Sequence, residues 1–461
     1  MIKEVRQSRW FNYGVILLAV LIPFQPRLYK SLRAFSASLI QTSWSLPAYF
    51  EIHFDVFVAD FLIIALIGMA LRGKLLFWEG ERKYLTLFLL AALVSIFGSS
   101  LPTYPLQYWR WMHLALPAGL FFVLGHRPQI PFTALAKGVV MASVIEALIA
   151  IVQYFVQHSL GLKMLGEPTL IARNFVGSTV PIADGSRWIF DRLFHVVRDH
   201  PFILRASGTL PHPNILGGVM VFGLLMTYYL YGLGKKRGWL AAIIALQVFC
   251  LFITYSRSAL YMWVLMTLLW IAVTSWKDKK LSSLIGVAGG CFLLCGALLY
   301  PQLFERGGVV SYTAVSQVSD IKRLALHEIG WKMIQAHPWM GVGFNSYMLA
   351  FQTMFEKTAA EIAYVHNVYL HIAAEIGIPG LMAFLAFSWV ILMKGWRLRE
   401  QPAVLTSACI LLAFLGIGMV DYYPLCDPSS RVIFFLMAGI LRSHLVEEPL
   451  LVLHESLKNR A

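Results

Sequence analysis

The chain has 461 residues, 58% of them hydrophobic and only 13% charged. Soluble chains are about 45–50% apolar and about 25% charged, so this balance excludes a soluble globular protein and leaves a polytopic helical membrane protein. The net charge of +14 reads as membrane topology and contact with anionic lipid, not as a nucleic-acid footprint.

Apolar runs of roughly 17–25 residues, the length that spans a bilayer, mark about twelve transmembrane helices. In chain order they cover 10–25, 54–72, 84–101, 108–125, 131–156, 213–233, 238–256, 258–276, 281–300, 377–396, 402–421 and 429–444. The first run lacks a small-residue cleavage site and more spans follow it, so it reads as a span and not a signal peptide. The expected fold is an all-α integral membrane protein, a single polytopic domain over 1–461, with two long loops at 157–212 and 301–376. Cys250, Cys291, Cys295 and Cys409 lie inside apolar runs and Cys426 in a loop, with no spacing for zinc or a disulfide framework.

Orientation follows from the positive-inside rule. The connections RGKLLFWEGERK, GKKRG, WKDKK and KGWRLRE share one side with the amino-terminal MIKEVRQSR, whereas LPTYPLQ and DYYPLCDPSS carry no Lys or Arg. Both termini are therefore expected in the cytoplasm. The two long loops, the turn around Arg257 and His366 then fall on the outer face. Asp55, Asp60 and Glu146 are the main acids near or within spans. For Glu146, a helix–helix hydrogen bond and a functional role are both open.

Four outer stretches carry the polar chemistry. RASGTLPHPNILGG places Arg205, His212 and Asn214 at the start of a helix, where Asn214 has the residue type and position of an N-cap. Arg205 suits a phosphate, whether in a lipid headgroup or a substrate. TYSRSAL sets Arg257 between two apolar helices with almost no loop, so it either snorkels to the interface or meets an anion. In IKRLALHEIGWKMIQAHPWMGVGFNSY, the spacing of Ile321, Leu324, Trp331 and Ile334 predicts an amphipathic helix along the membrane surface. Arg323 and His327 share a face there at i and i+4. His337 opens the HPWMGVG turn that ends the helix. The fourth stretch, HNVYLHIAAEIGIPG, opens on His366 and Asn367 and also sets His371 and Glu375 one turn apart, where they can pair.

At these residues the sequence resembles the O-antigen ligase and O-antigen polymerase superfamily, bacterial membrane glycosyltransferases of the GT-C type. His366-Asn367, nine residues, then Gly377-Ile-Pro-Gly380 matches the family's outer-loop pattern. HPWMGVGFNSY, YSRSAL and GTLPHPN resemble further family patterns in the same order, so that the resemblance extends over roughly 200–440.

The resemblance implies a glycan carried on undecaprenyl diphosphate, presented on the periplasmic face of the bacterial inner membrane. An acceptor hydroxyl attacks the anomeric carbon with inversion, and lipid diphosphate leaves. The leaving group needs fixed positive charge, and arginine binds phosphate bidentately, at about 1.5–3 kcal/mol per charged hydrogen bond. Arg257 and Arg205 are the first candidates and Arg323 the third. His327, His212, Asn214 and His337 are further substrate-binding candidates. The acceptor hydroxyl needs a base, and a histidine with an ordinary pKa near about 6.5 is partly neutral at pH 7. That is the role expected of His366, with Asn367 orienting the ring or the acceptor. A diphosphate-binding role for a cationic His366 is also open.

Asp184, Asp191, Asp199, Asp320, Glu356 and Glu361 are scattered over the outer loops without a paired motif, so no metal and no cofactor is expected. Expected partners are the undecaprenyl-diphosphate glycan, a lipid A–core or lipid-linked glycan acceptor, and membrane lipids, with no nucleic acid. Ligation to lipid A–core is the first reading. A polysaccharide polymerase or a protein O-oligosaccharyltransferase is the second. A transporter of polyprenyl-linked sugars is the rival from another class, but alternating access needs groups reachable from both sides, and these motifs gather on one.

Overall fold

A computed structural model of the chain describes residues 2–24, 57–70, 77–99, 101, 105–125, 130–168, 179–181, 202–234, 237–274, 279–305, 314–355 and 363–458. Asp55, Asp184, Asp191, Asp199, Glu356 and Glu361 lie outside them, as does the side chain of Asp320. The described fold is helical: α1 (Ile2–Leu21), α2 (Val58–Ala70), α3 (Arg82–Phe97), α4 (Pro105–Leu124), α5 (Phe132–Val156), α6 (Pro213–Gly232), α7 (Arg237–Ile253) and α8 (Arg257–Val273) come first. Then follow α9 (Lys279–Glu305), α10 (Ala314–Ala336), α11 (Tyr347–Phe355), α12 (Val368–Arg397), α13 (Pro402–Ile417), α14 (Tyr423–Cys426) and α15 (Pro428–Lys458). A short antiparallel pair, β1 (Thr179–Pro181) with β2 (Phe202–Leu204), leads into α6.

The predicted apolar runs fall on α1–α9, α12, α13 and α15. Among the described residues, Phe132–Val156, Pro213–Gly232, Ser283–Leu303 and Val368–Arg397 are long and apolar enough to cross a membrane. Arg9–Leu21, Val58–Ala70, Arg237–Ile253, Arg257–Val273 and Pro402–Ile417 are shorter apolar helices. The last long span begins at Val368 and not at 377, because Asn367 caps it: its Oδ1 accepts from Leu370 N at 2.9 Å.

α6 is the centre of the bundle. Every residue from Pro213 to Tyr231 is buried, and α5, α7, α8 and α13 pack around it. Small residues let them come close, as helices in lipid require. A Cβ added at Gly217 would stand 2.9 Å from Ala259 Cβ on α8, and one at Gly223 would stand 2.7 Å from Ser143 Cβ on α5. Gln247 on α7 ties three helices, donating to Ser143 Oγ at 2.8 Å and accepting from Thr227 Oγ1 at 3.0 Å.

The two ends of the bundle differ chemically. At one end two basic connections of the sequence meet: the buried Glu81 carboxylate pairs with Lys394 at 2.5 Å and with Arg442. At the other end lie the His366, Arg205 and Arg257 segments. There α10 packs on α12 with Leu326, Met333 and Ile334 inward. Of the four apolar residues expected to face the membrane surface, Ile334 turns inward to the protein. Ile321, Leu324 and Trp331 are exposed. The helix thus has two apolar faces, because it must serve both the protein and a lipid surface.

Candidate active site

Four segments far apart in sequence meet in one hydrogen-bonded chain. Arg205 is fully buried, and its Nε donates to Thr254 O at 2.8 Å, in the turn that carries Arg257. Its Nη2 donates to Asn214 Oδ1 at 2.5 Å. Asn214 Nδ2 donates in turn to Asp421 Oδ2 at 2.6 Å. Asp421 Oδ1 lies 3.3 Å from His366 Nδ1 and accepts from Tyr422 N at 2.9 Å.

This arrangement corrects the reading of Asn214 as a cap. The cap of α6 is His212, whose Nδ1 accepts from Asn214 N at 3.1 Å, with Pro213 in the first helical position. The Asn214 carboxamide is left to bridge arginine and aspartate, with its oxygen accepting from the one and its nitrogen donating to the other.

Asn367, expected to orient the ring or the acceptor, makes two structural hydrogen bonds. Its Oδ1 caps α12, and its Nδ2 donates to Met419 O at 2.9 Å, beside Val368 N donating to Gly418 O at 2.7 Å. It therefore fastens the turn carrying Asp421 to the residue after His366, and so sets the aspartate against the ring. Asp421 escaped the sequence reading as a site residue. Its signal was weak: an acid on an outer turn that has no Lys or Arg.

Burial alone would push the Asp421 carboxyl up. The hydrogen bond and charge of His366, the nearness of His212 and the Asn214 donor outweigh it, and the net shift is downward. His366 keeps 28% of its side chain exposed, against 4% for Asp421. Nδ1 faces the carboxylate, so a proton held there leaves Nε2 with its lone pair.

α5 supports both arginine-bearing segments through one polar stripe. Gln157 Oε1 accepts from Leu204 N at 2.7 Å. Gln153 grips Gly208 by its N–H and its C=O, both at 2.8 Å. Glu146 accepts from Thr209 N at 3.0 Å and from Thr209 Oγ1. Tyr154 OH lies 2.9 Å from Tyr255 OH, two residues before Arg257. The partner of Glu146 is thus a loop segment and not another helix. Glu146→Ala leaves the buried Thr209 N–H unsatisfied, at roughly 1–3 kcal/mol, and the Thr209 hydroxyl with Pro23 O at 3.2 Å alone; a clearly lowered Tm in detergent, measured against Glu146→Gln, is the expected result.

The two glycine motifs hold each other. Pro379 has no N–H for the carbonyl of Glu375, and Ile378 N donates to Pro338 O at 2.8 Å and not back to Ala374. The two freed carbonyls accept from the HPWMGVG turn instead: Val342 N to Ala374 O at 2.8 Å, and Gly343 N to Glu375 O at 3.0 Å. The break falls at Gly377, φ 84° and ψ 171°. The Glu375 side chain completes the clasp, accepting from Asn345 N at 2.9 Å and Tyr347 N at 3.1 Å, with His371 Nε2 at 3.6 Å. The expected His371–Glu375 pair is present, but the carboxylate mainly collects backbone donors. Glu375→Ala is expected to lower Tm by several degrees and to speed proteolysis within 337–355, because the Asn345 and Tyr347 backbone donors lose their acceptor.

The remaining candidates are less centrally placed. Arg257 is half-buried in the first turn of α8, on the turn to which Arg205 is anchored. Arg323 and His327 sit half-buried on α10, and His327 Nε2 has no hydrogen-bond partner. His337 O accepts from Gly341 N at 3.0 Å and so shapes the turn with its backbone. Tyr422 lies edge-on to His366, 5.6 Å between centroids, and Tyr364 stacks on Tyr422 at 5.0 Å. Burial pushes both phenols well up, so neither is a base near neutrality.

A helical membrane protein with a half-exposed histidine, a buried aspartate behind it and arginines at the same end has the makings of a group-transfer enzyme for an anionic substrate. Residues 221–385 match the O-antigen ligase family model. The matched segment is shorter than the expected 200–440. It holds Arg257, Arg323, His327, His337, His366, Asn367 and the Gly-x-x-Gly, and it leaves Arg205 and Asp421 on either side. No curated protein matches the chain. The family match supports a ligase- or polymerase-type activity on lipid-linked glycans and a multi-pass bacterial membrane protein.

Proposed function

We propose that the protein transfers a glycan from undecaprenyl diphosphate to an acceptor hydroxyl at the periplasmic face, with inversion, and that the acceptor is lipid A–core. The observation that carries the reading is the Arg205–Asn214–Asp421–His366 chain. His366 Nε2 takes the proton of the acceptor hydroxyl as its oxygen bonds to the anomeric carbon. Asp421 holds the other nitrogen as the donor and stabilises the imidazolium that forms, the logic of an oriented base. The sugar–phosphate bond breaks, and its electron pair leaves with the lipid diphosphate. Arg257 meets that diphosphate, with the buried charge of Arg205 behind it, where low dielectric makes a fixed charge act strongly. In this reading Arg323 and His327 on α10, with His212 and His337, serve as outer contacts to the two glycans. The reaction as written calls for no metal and no cofactor.

The test is a transfer assay with purified protein, undecaprenyl-diphosphate glycan and no added metal, with and without lipid A–core. Glycan-bearing lipid A–core is the expected product. Lengthened donor in the absence of acceptor would replace the reading with a polymerase, and restoration of an EDTA-sensitive activity by magnesium or manganese would overturn the metal-free step. Donor crossing proteoliposome membranes without product would make the protein a transporter.

A further inference from the structure

Arg431 is used by nothing described so far. It lies in the first turn of α15, on the His366 end, and is 4% exposed. Its buried Nε–H has no acceptor, and among the described residues its guanidinium closes no ion pair. The charged groups that act on it are Arg110 of α4, Asp427 and Asp60. Both acids have other work. Asp427 Oδ2 accepts from Ser430 N at 3.0 Å and Ser430 Oγ at 3.1 Å. Asp60 Oδ2 accepts from Phe57 N at 2.9 Å and stands 3.8 Å from His113 Nδ1.

A guanidinium offers five donors in a planar fork and stays charged. Burying it with its Nε–H unmet and no ion pair, near a second arginine, is unfavourable unless an anion completes the arrangement. Its position relative to His366 suggests which anion. Arg110 and Cys426 act on Tyr364 as well as on Arg431. Tyr364 stacks on Tyr422, which lies edge-on to His366. Arg205 is thus linked to His366 through Asn214 and Asp421, whereas Arg110 and Arg431 approach it through Tyr364 and Tyr422.

We propose that Arg431, with Arg110, is a second phosphate-binding site, which holds a phosphate monoester of the acceptor glycolipid. The inference rests on the transfer reading above. Inversion puts the attacking hydroxyl and the leaving diphosphate on opposite faces of the sugar, so an acceptor anchored by its own phosphate belongs on the side of His366 away from Arg257.

The test measures lipid binding and Tm of the full-length protein in detergent. The probes are bis-phosphorylated lipid A, enzymatically dephosphorylated lipid A, and undecaprenyl diphosphate. The parent protein is expected to bind bis-phosphorylated lipid A at least tenfold tighter than the dephosphorylated form. In Arg431→Met that preference disappears, undecaprenyl diphosphate binds unchanged, and the Tm without lipid stays the same or rises, because a buried charge with no acceptor has been removed. A Tm that falls in Arg431→Met while lipid affinities hold would make Arg431 structural and overturn the proposal. Loss of undecaprenyl diphosphate affinity instead would assign the phosphate to the donor and overturn it too. A parent protein indifferent to lipid A phosphates refutes it even if the variant does not fold. None of these readouts needs turnover, so a failed transfer assay and a failed phosphate site are told apart, and His366→Ala should bind all three lipids as the parent does.

Discussion

His366→Ala is expected to abolish glycan transfer to within the assay limit, and Asp421→Asn to lower it by roughly 10²–10⁴-fold while the protein folds normally. The asparagine keeps shape and the hydrogen bond from Asn214, but it offers His366 Nδ1 a neutral partner. The imidazolium formed in the transition state loses its counter-charge, and the tautomer with Nε2 unprotonated loses its preference. The pH dependence separates this role from an acid–base role of Asp421 itself. The carboxyl is held below its ordinary range, so it stays ionised as pH falls from 8 to 5 and binds no proton there. Its stabilising contribution is present above the ordinary carboxylate range and is lost only when pH drops through the depressed value. Asp421→Asn should therefore scale the whole pH–rate profile down between pH 5 and 8. A selective loss on the acid limb would contradict this account. Lipid binding in both variants should remain at the parent level.

The second large effect is structural. Gly377→Ala should cost on the order of 3 kcal/mol or more, through positive-φ strain and overpacking together. A Cβ there would lie 2.2 Å from Trp339 O, and one at Gly341, φ 66°, would lie 2.3 Å from the Glu375 carbonyl carbon. Neither contact can be relieved by a rotamer, because the atoms met are backbone. The HPWMGVG turn would be pushed off α12, taking with it the start of α11. The check is limited proteolysis and Tm in detergent, with Gly286→Ala as control, since a Cβ at Gly286 meets nothing. An unchanged proteolytic pattern in Gly377→Ala would mean that the two motifs do not hold each other.

The two motifs also explain why a histidine opens an apolar helix that a glycine pair interrupts. Asn367 starts the helix and binds the Asp421 turn; Gly377 and Pro379 break it one span-end later and bind the other outer segment. Both contacts lie C-terminal to His366 and fix the helix that it opens.

The apolar runs were legible because transfer into lipid depends on local composition over about 20 residues, and a window of sequence contains all of that information. The residue types of the site were legible for a related reason. Histidine, arginine and asparagine at lipid boundaries are costly, so their presence marks chemistry. Partnership was not legible. Asn214 has the spacing of a cap, and a cap and a bridge differ only in which way one side chain turns. Asp421 meets Asn214 across 207 residues, and no local pattern carries such a pairing. Glu375 reads as an i+4 partner of His371, yet its carboxylate closes on Asn345 and Tyr347, because the helix break beside it exposes it to another segment. Arg431 stands out only once burial shows its Nε–H without an acceptor. Composition sets which segments leave water and which groups resist leaving it. The choice among partners belongs to packing, because a hydrogen bond only a few tenths of an ångström too long contributes little, and such distances exist only once the helices are assembled.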